Sequence, residues 1–290
     1  MCALNHLPNA PVVIVGMHRS GTSLITRMLK QMGLFTGAIL EQNDESPLFI
    51  ALNDQILSIA HATWDYPEAF ANIYTDDSLV TKAADIAKEH LLSPENLRLY
   101  LPPQAKSISD LSGQLWGWKD PRTTVTWPIW KKIFPEMRIL FVSRNGVDVA
   151  ASLQRRAEKD KQQFVSTPSS AAVRQTKFMS LRCLSLESAF ELWASYNETF
   201  FRLLNSYQPV SWKQISYEDF IESPEKTLAT ILSFLASEVP AYPQAEYGHS
   251  VIPGRRYAFR EDPKLLDFYD KVADEPLMQK LGYGNLHSKL

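Results

Sequence analysis

The sequence predicts an α/β protein, a central parallel β-sheet flanked by helices in three layers, on three stretches. Pro11 to Gly33 (PVVIVGMHRSGTSLITRMLKQMG) reads as a buried strand, a tight loop and an amphipathic helix. Arg138 to Ser143 (RILFVS) is a second apolar run followed by a helical pattern, and Val210 to Ser216 is another strand with a helix beyond it. Strands alternating with helical patterns are how a parallel sheet looks in sequence.

Bulk properties narrow the function classes. At 290 residues, with 45% hydrophobic and 21% charged residues, the chain suits one large α/β domain with a substantial core. It is read as a single domain over residues 1–290, with a short N-terminal extension at 1–10. The formal net charge of −2 gives no global basic field of the kind that binds nucleic acid. Any anion site has to be built locally. Two cysteines, Cys2 and Cys183, make neither a disulfide framework nor a metal site, which suits a reducing, cytoplasmic setting. Met1 to Pro11 lacks the basic and apolar regions of a signal peptide. No apolar run approaches the roughly 20 residues of a membrane span.

In the first stretch, Val12 to Val15 form the strand, Gly16-Met17-His18-Arg19-Ser20-Gly21 the loop, and Thr22-Ser23 open a helix whose apolar stripe includes Leu24, Ile25, Met28 and Leu29. Glycines bring backbone N–H groups close to an anion, and the helix end adds unpaired donors and a positive dipole. The loop has the glycine spacing of a Walker A motif, G-x-x-x-x-G-K-S/T, so the fold is expected to be P-loop-like. Thr22 stands where that motif has its lysine, and Arg19 is the loop's cation. Exchanging a phosphate-seeking lysine for a planar arginine fork suits a metal-free anion gripped bidentately. A glycine-containing turn with a solvated arginine is the plain alternative.

Leu48, Phe49, Leu52, Ile56, Leu57, Ile59 and Ala60 recur at helical spacing from Pro47 onward. The acidic run before them suits a helix N-terminus, so Asp44 and Glu45 also read as a solvated cap. Thr75 to Leu92 is a second helical pattern ended by Pro94, and Pro102 to Gly113 is expected to be loop. Leu115 to Trp118 (LWGW) reads as a short strand that delivers Lys119-Asp120-Pro121-Arg122 to the sheet's carboxyl edge, where open α/β sheets bind ligands. Arg144 falls at the same edge of RILFVS, and Ser152 about two turns into the next helix. Gln154 to Ser180 is polar and poorly periodic, either a mobile lid or acceptor loop or a solvated connection. Leu181 to Tyr207 carries a core stripe of Trp193, Tyr196, Phe200, Leu203 and Leu204. Tyr217-Glu218-Asp219 follows the next strand, Pro224 to Leu235 is helical, and Arg255-Arg256 sits in a late loop. A final helix from Pro263 to Leu281 is expected to pack on the sheet.

Three of these stretches carry a resemblance to one family. GMHRSGTSL resembles the 5'-phosphosulfate loop of sulfotransferases in the form found in bacterial and carbohydrate-type members. WGWKDPR is similar to a motif of the same subgroup. Arg144-x-Gly146-x-Asp148-x-x-x-Ser152 resembles the family's 3'-phosphate motif R-x-P-x-D-x-x-x-S, with Gly146 in place of proline, which stiffens the turn less. The resemblance runs from Pro11 to about Tyr283.

It implies a co-substrate, 3'-phosphoadenosine 5'-phosphosulfate, leaving as adenosine 3',5'-bisphosphate, with no metal. It implies that Arg19, Ser20, Gly21, Thr22 and Ser23 hold the 5'-phosphosulfate, that Arg144 and Ser152 hold the 3'-phosphate, and that Arg255 or Arg256 closes over that end. Arg19 or Lys119 would meet the charge on the leaving oxygen. For the acceptor's proton, Glu45 is slightly preferred, with Asp44 and His18 as rivals. The Tyr217-Glu218 pair is structural. The acceptor is a small molecule, carbohydrate or lipid, and residues do not say which. A P-loop nucleoside or small-molecule kinase shares the strand-loop-helix but should carry a lysine at position 22. A non-catalytic nucleotide-binding protein would lack the base and the cation.

Overall fold

The computed structural model describes residues 10–111, 113–168, 179–208, 210–235 and 256–286. Four parallel strands form one sheet in the order β2-β1-β3-β4: β1 (Val12–Val15), β2 (Gly117–Lys119), β3 (Arg138–Ser143) and β4 (Ser211–Ser216). Val12 pairs with Gly117 on one side and Arg138 on the other, and Arg138 pairs onward with Ser211. All four carboxyl ends therefore lie along one edge.

Alternation along each strand sends successive side chains to opposite faces. Val12 and Ile14 of β1, with Leu140 and Val142 of β3, meet α1 (Thr22–Gln31) through Ile25, Met28 and Leu29. The same layer takes Phe220 of α8 (Tyr217–Glu222) and Leu228, Ile231 and Leu235 of α9 (Pro224–Leu235). Val13, Val15, Ile139 and Phe141 face the other, aromatic-rich layer. It contains α2 (Pro47–Ser58), α3 (Asp77–Leu91), the single turn α4 (Pro94–Leu97), α5 (Thr123–Ile133), α6 (Gly146–Ser166) and α7 (Leu186–Ser206). Phe49 stacks on Trp118 at 4.1 Å and Phe141 on Phe200 at 4.2 Å, which packs that layer tightly against the strands. The three-layer α/β expectation holds.

Two expectations about the helices need correcting. Residues 154–166, read as a non-periodic lid or connection, continue α6 to Ser166, because Leu153 and Ala157 still bury an apolar side while the charged residues face out. Of the remainder of that stretch, 169–178 lie outside the described residues. The final helix is two: α10 (Pro263–Val272) and α11 (Pro276–Lys280), interrupted where Pro276 starts a new first turn. α10 packs chiefly on the 3-10 turn Ala258–Glu261 and on α6, and α11 on α7, rather than on the sheet. Pro94 likewise opens α4, capped by the Ser93 hydroxyl, instead of simply ending α3. Among the described residues no helix is long and apolar enough to cross a membrane.

Candidate functional site

The loop after β1 is forced into shape at two glycines. Gly16 has φ +137°, and a Cβ there would lie 2.3 Å from the Val142 carbonyl oxygen. Gly21 has φ +92°, and a Cβ there would lie 2.2 Å from the Tyr217 ring. Neither position accepts another residue without strain. The Gly16 N–H donates to the Thr124 hydroxyl (2.8 Å), which ties the loop to α5. Arg19 itself sits in the left-handed region at φ +71°. α1 then starts with no side-chain cap and no acidic residue in its first turn, so its positive end is left open to an anion.

Around this loop lies a pocket of about 260 Å³, lined by His18, Arg19, Gly21, Thr22, Ser23, Leu24, Arg27, Asn43, Glu45, Lys119, Pro121, Arg144, Arg156, Tyr217 and Ile221. Five of these side chains are cationic and one, Glu45, is a carboxylate. Such a lining favours a polyanion despite the chain's slight net negative charge.

Arg144, just past β3, donates to the Arg19 carbonyl (3.2 Å) and stacks over the Tyr217 ring at 4.3 Å, with Asp148 at 3.9 Å. Arg19 Nε donates to the Ser152 hydroxyl at 2.9 Å. Arg144, Arg19 and Ser152, distant in sequence, are thus joined in one network. Behind it, buried Glu218 accepts from the Asn145 backbone N–H (2.9 Å) and from the Tyr283 hydroxyl (2.9 Å). Burial raises its carboxyl above the usual 4.5, and these donors oppose the rise. Its place beneath the Arg144 turn fits the structural part expected for the Tyr217-Glu218 pair.

Lys119 and Glu45 meet on the other side of the loop. Lys119 Nζ lies 2.6 Å from Glu45 Oε1 and 3.4 Å from the Ser23 hydroxyl, and both partners of the ion pair are buried. Burial pushes the Glu45 carboxyl up from 4.5 and the Lys119 ammonium down from 10.5, and each charge offsets the shift of the other. Behind Lys119, Asp120 and Arg122 pair at 3.0 Å, and Arg122 also reaches Asp54 at 2.7 Å. Asn53 donates to Asp120 (2.9 Å), so the end of β2 is fixed by an internal polar network.

Other candidates are placed differently. Asp44, at φ +61°, is held by Arg27 (3.0 Å) and Lys30 (3.2 Å) and does not line the pocket. Neither it nor Glu45 caps α2, whose N-cap is Ser46. Glu45 is buried, not a solvated cap residue. His18 is buried against Trp64 (ring centroids 4.8 Å) and Nε2 has no hydrogen-bond partner. Burial, then Arg122, Arg156, Lys119 and Arg19, hold its pKa well below 6.5, so it is neutral. Arg256 pairs with Glu222 at 2.8 Å, away from the pocket lining, and Arg255 lies outside the described residues. Ser20 and Thr22 are buried in the loop. Sequence reasoning missed Arg27, Asn43 and Arg156. Arg156 had a signal, since it lies four residues after Ser152 and so on the same face of α6.

The sulfotransferase family profile matches residues 11–241 of this chain. The chain belongs to the sulfotransferase family. Membership makes it an enzyme of sulfuryl transfer. Among solved structures, the sulfotransferase domain from the curacin biosynthetic pathway is similar in fold: TM-score 0.51, 15% identity, covering 92% of this chain and 98% of that one. A sulfotransferase from Alicyclobacillus acidocaldarius matches with TM-score 0.49 and 17% identity, over 91% of this chain and 92% of that one. No curated protein matches the sequence. Among the described residues, no cluster of three or more His, Cys, Asp or Glu side chains forms a metal site.

Proposed function

We propose that this sulfotransferase takes its sulfuryl group from 3'-phosphoadenosine 5'-phosphosulfate and transfers it to a hydroxyl or amine of a small-molecule, carbohydrate or lipid acceptor. The observation that carries this reading is the joining of two anion grips in one pocket. The loop and open α1 terminus form one grip, and Arg144 on its Tyr217 platform forms the other, with Arg19 and Ser152 linking them. A donor with a phosphosulfate at one end and a 3'-phosphate at the other needs two such grips, whereas ADP and ATP lack the second anion.

In this reading the loop amides with Ser20, Gly21, Thr22 and Ser23 cradle the 5'-phosphosulfate, and Arg144 with Ser152 takes the 3'-phosphate. The acceptor oxygen attacks sulfur in line, and the bond from sulfur to the bridging oxygen breaks. The electron pair stays on that oxygen, facing Arg19 and Lys119. Charge held in place before the reaction stabilises the departing group without reorganisation. Glu45 takes the acceptor's proton: it lines the pocket, and burial makes it a stronger base than a solvated carboxylate. No step in this reading needs a metal.

A thermal-shift titration tests the donor. Adenosine 3',5'-bisphosphate without metal should raise the melting temperature, and Arg144→Ala should abolish most of the shift. Stabilisation by ATP with magnesium alone would instead favour the kinase reading.

A further inference from the structure

The geometry points to an acceptor that is itself an anion, its charge met by Arg156, with its nucleophilic hydroxyl giving its proton to Glu45 as proposed above and accepting a hydrogen bond from His18. This rests on the donor reading above and extends it to the other end of the same pocket. Ser152, which receives the Arg19 hydrogen bond, lies one turn before Arg156 on α6. Helical geometry therefore places the Arg156 backbone about 6 Å beyond Ser152 along the axis and about 15 Å beyond Gly146, where the 3'-phosphate turn begins. Once Arg144 and Arg19 are allotted to the donor, Arg156 remains as a further cation lining the pocket.

Charge accounting separates it from the other cations lining the pocket. Arg27 is paired with Asp44, and Lys119 with Glu45. Among the described residues Arg156 pairs only with Asp160, at 3.6 Å, one turn along the same helix and partly solvated, a weak ion pair. Its guanidinium stands 5.7 Å from the Trp64 ring centroid, which gives an incoming anion a fork with an apolar backing.

His18 supplies the second, independent observation. Its ring packs edge-on against that same Trp64, the residue lines the pocket although more than nine-tenths buried, and its buried Nε2 has no hydrogen-bond partner among the described residues. A buried polar atom left unpaired is costly unless a ligand completes it. A neutral imidazole beside a cationic fork is suited to a hydroxyl group carried by an acid, such as a hydroxy acid, a uronic-acid-type sugar or a phosphorylated alcohol. A bulky neutral lipid acceptor would leave Arg156 unanswered.

The test uses calorimetry on the full chain saturated with adenosine 3',5'-bisphosphate. The probes are matched acid and neutral pairs: 4-hydroxybenzoate with 4-hydroxybenzamide, glucuronate with glucose, and glycerol 3-phosphate with glycerol. At least one acid should bind tenfold or more tightly than its neutral partner. Arg156→Gln should erase that preference and leave bisphosphate affinity within twofold, while Arg156→Lys should keep part of it. Equal binding in every pair, no acid binding in the millimolar range, or a preference that survives Arg156→Gln overturns the inference. So does a loss of bisphosphate affinity beyond twofold in Arg156→Gln, which would put Arg156 in the donor grip. Failure of the bisphosphate to bind the wild-type chain is read first, and it counts against the donor proposal rather than against Arg156.

Discussion

The two ends of the pocket are built by different means. At the Gly16–Ser23 end the polypeptide backbone supplies the surface: glycines at fixed positive φ, an open helix terminus, and an arginine whose own φ is +71°. At the other end Glu45, Lys119 and Arg156 come from three further segments to meet His18 of the loop, and the Glu45–Lys119 part is held by a buried ion pair. The contrast teaches that an anion grip can be local and rigid, whereas an acid–base and acceptor site has to be assembled by the tertiary fold. The two ends should therefore break differently.

The largest effect is expected from Lys119→Ala. It removes the charge proposed to face the departing oxygen and leaves the buried Glu45 carboxylate without its 2.6 Å partner. Sulfuryl transfer should fall by about 100- to 1000-fold, and urea unfolding should show a loss of roughly 3–5 kcal/mol. Unchanged turnover would remove Lys119 from the reacting end. Next comes Gly21→Ala, which should weaken adenosine 3',5'-bisphosphate binding at least tenfold through a strain of about 1–3 kcal/mol and the clash with Tyr217. Calorimetry reads it, and the Lys119–Glu45 end should be untouched.

A smaller effect concerns pH. His18 is held neutral in the folded chain with its pKa below 6.5, whereas the unfolded chain protonates it near that value. Below 6.5 the unfolded state binds the extra proton, so stability falls as pH drops toward the lowered folded value and is regained above 6.5. The slope contributed by this one group is at most about 1.4 kcal/mol per pH unit. Urea midpoints measured across that range should flatten in His18→Gln, and an identical slope in the variant would reject the assignment. The smallest effect is Arg256→Ala. Its ion pair with Glu222 is partly solvated, so stability should change by about 0–1 kcal/mol. Bisphosphate affinity should stay within twofold. A tenfold loss would return Arg256 to the donor site.

The same contrast explains what the sequence alone could tell. Val12 to Val15 and the GMHRSGTS loop were legible because glycine spacing and an apolar run are local signals, and Arg144 and Ser152 because they follow a strand at a regular interval. The burial of Glu45 was not legible. An acidic residue just before a helix reads as a cap, and only the arrival of Lys119, 74 residues later, gives it another role. Arg156 was hidden for a related reason: its stretch is so polar that Leu153 and Ala157 hardly mark a helical face, although α6 runs through it. The break in the final helix lay in plain view at Pro276 and was missed by treating the apolar pattern around it as continuous.

The segment before α2 also has a consequence for how the site is held together. The Ser23 hydroxyl donates to the Asn43 carbonyl (2.8 Å), Arg27 and Lys30 clamp Asp44, and Glu45 follows directly. The group proposed as the base is thus fastened to the helix whose first turn is proposed to grip the donor. The Glu45 backbone is thereby tied to α1 while its carboxylate is tied to β2 through Lys119. On the proposed reading, base and donor grip thus share one framework instead of standing on independent loops.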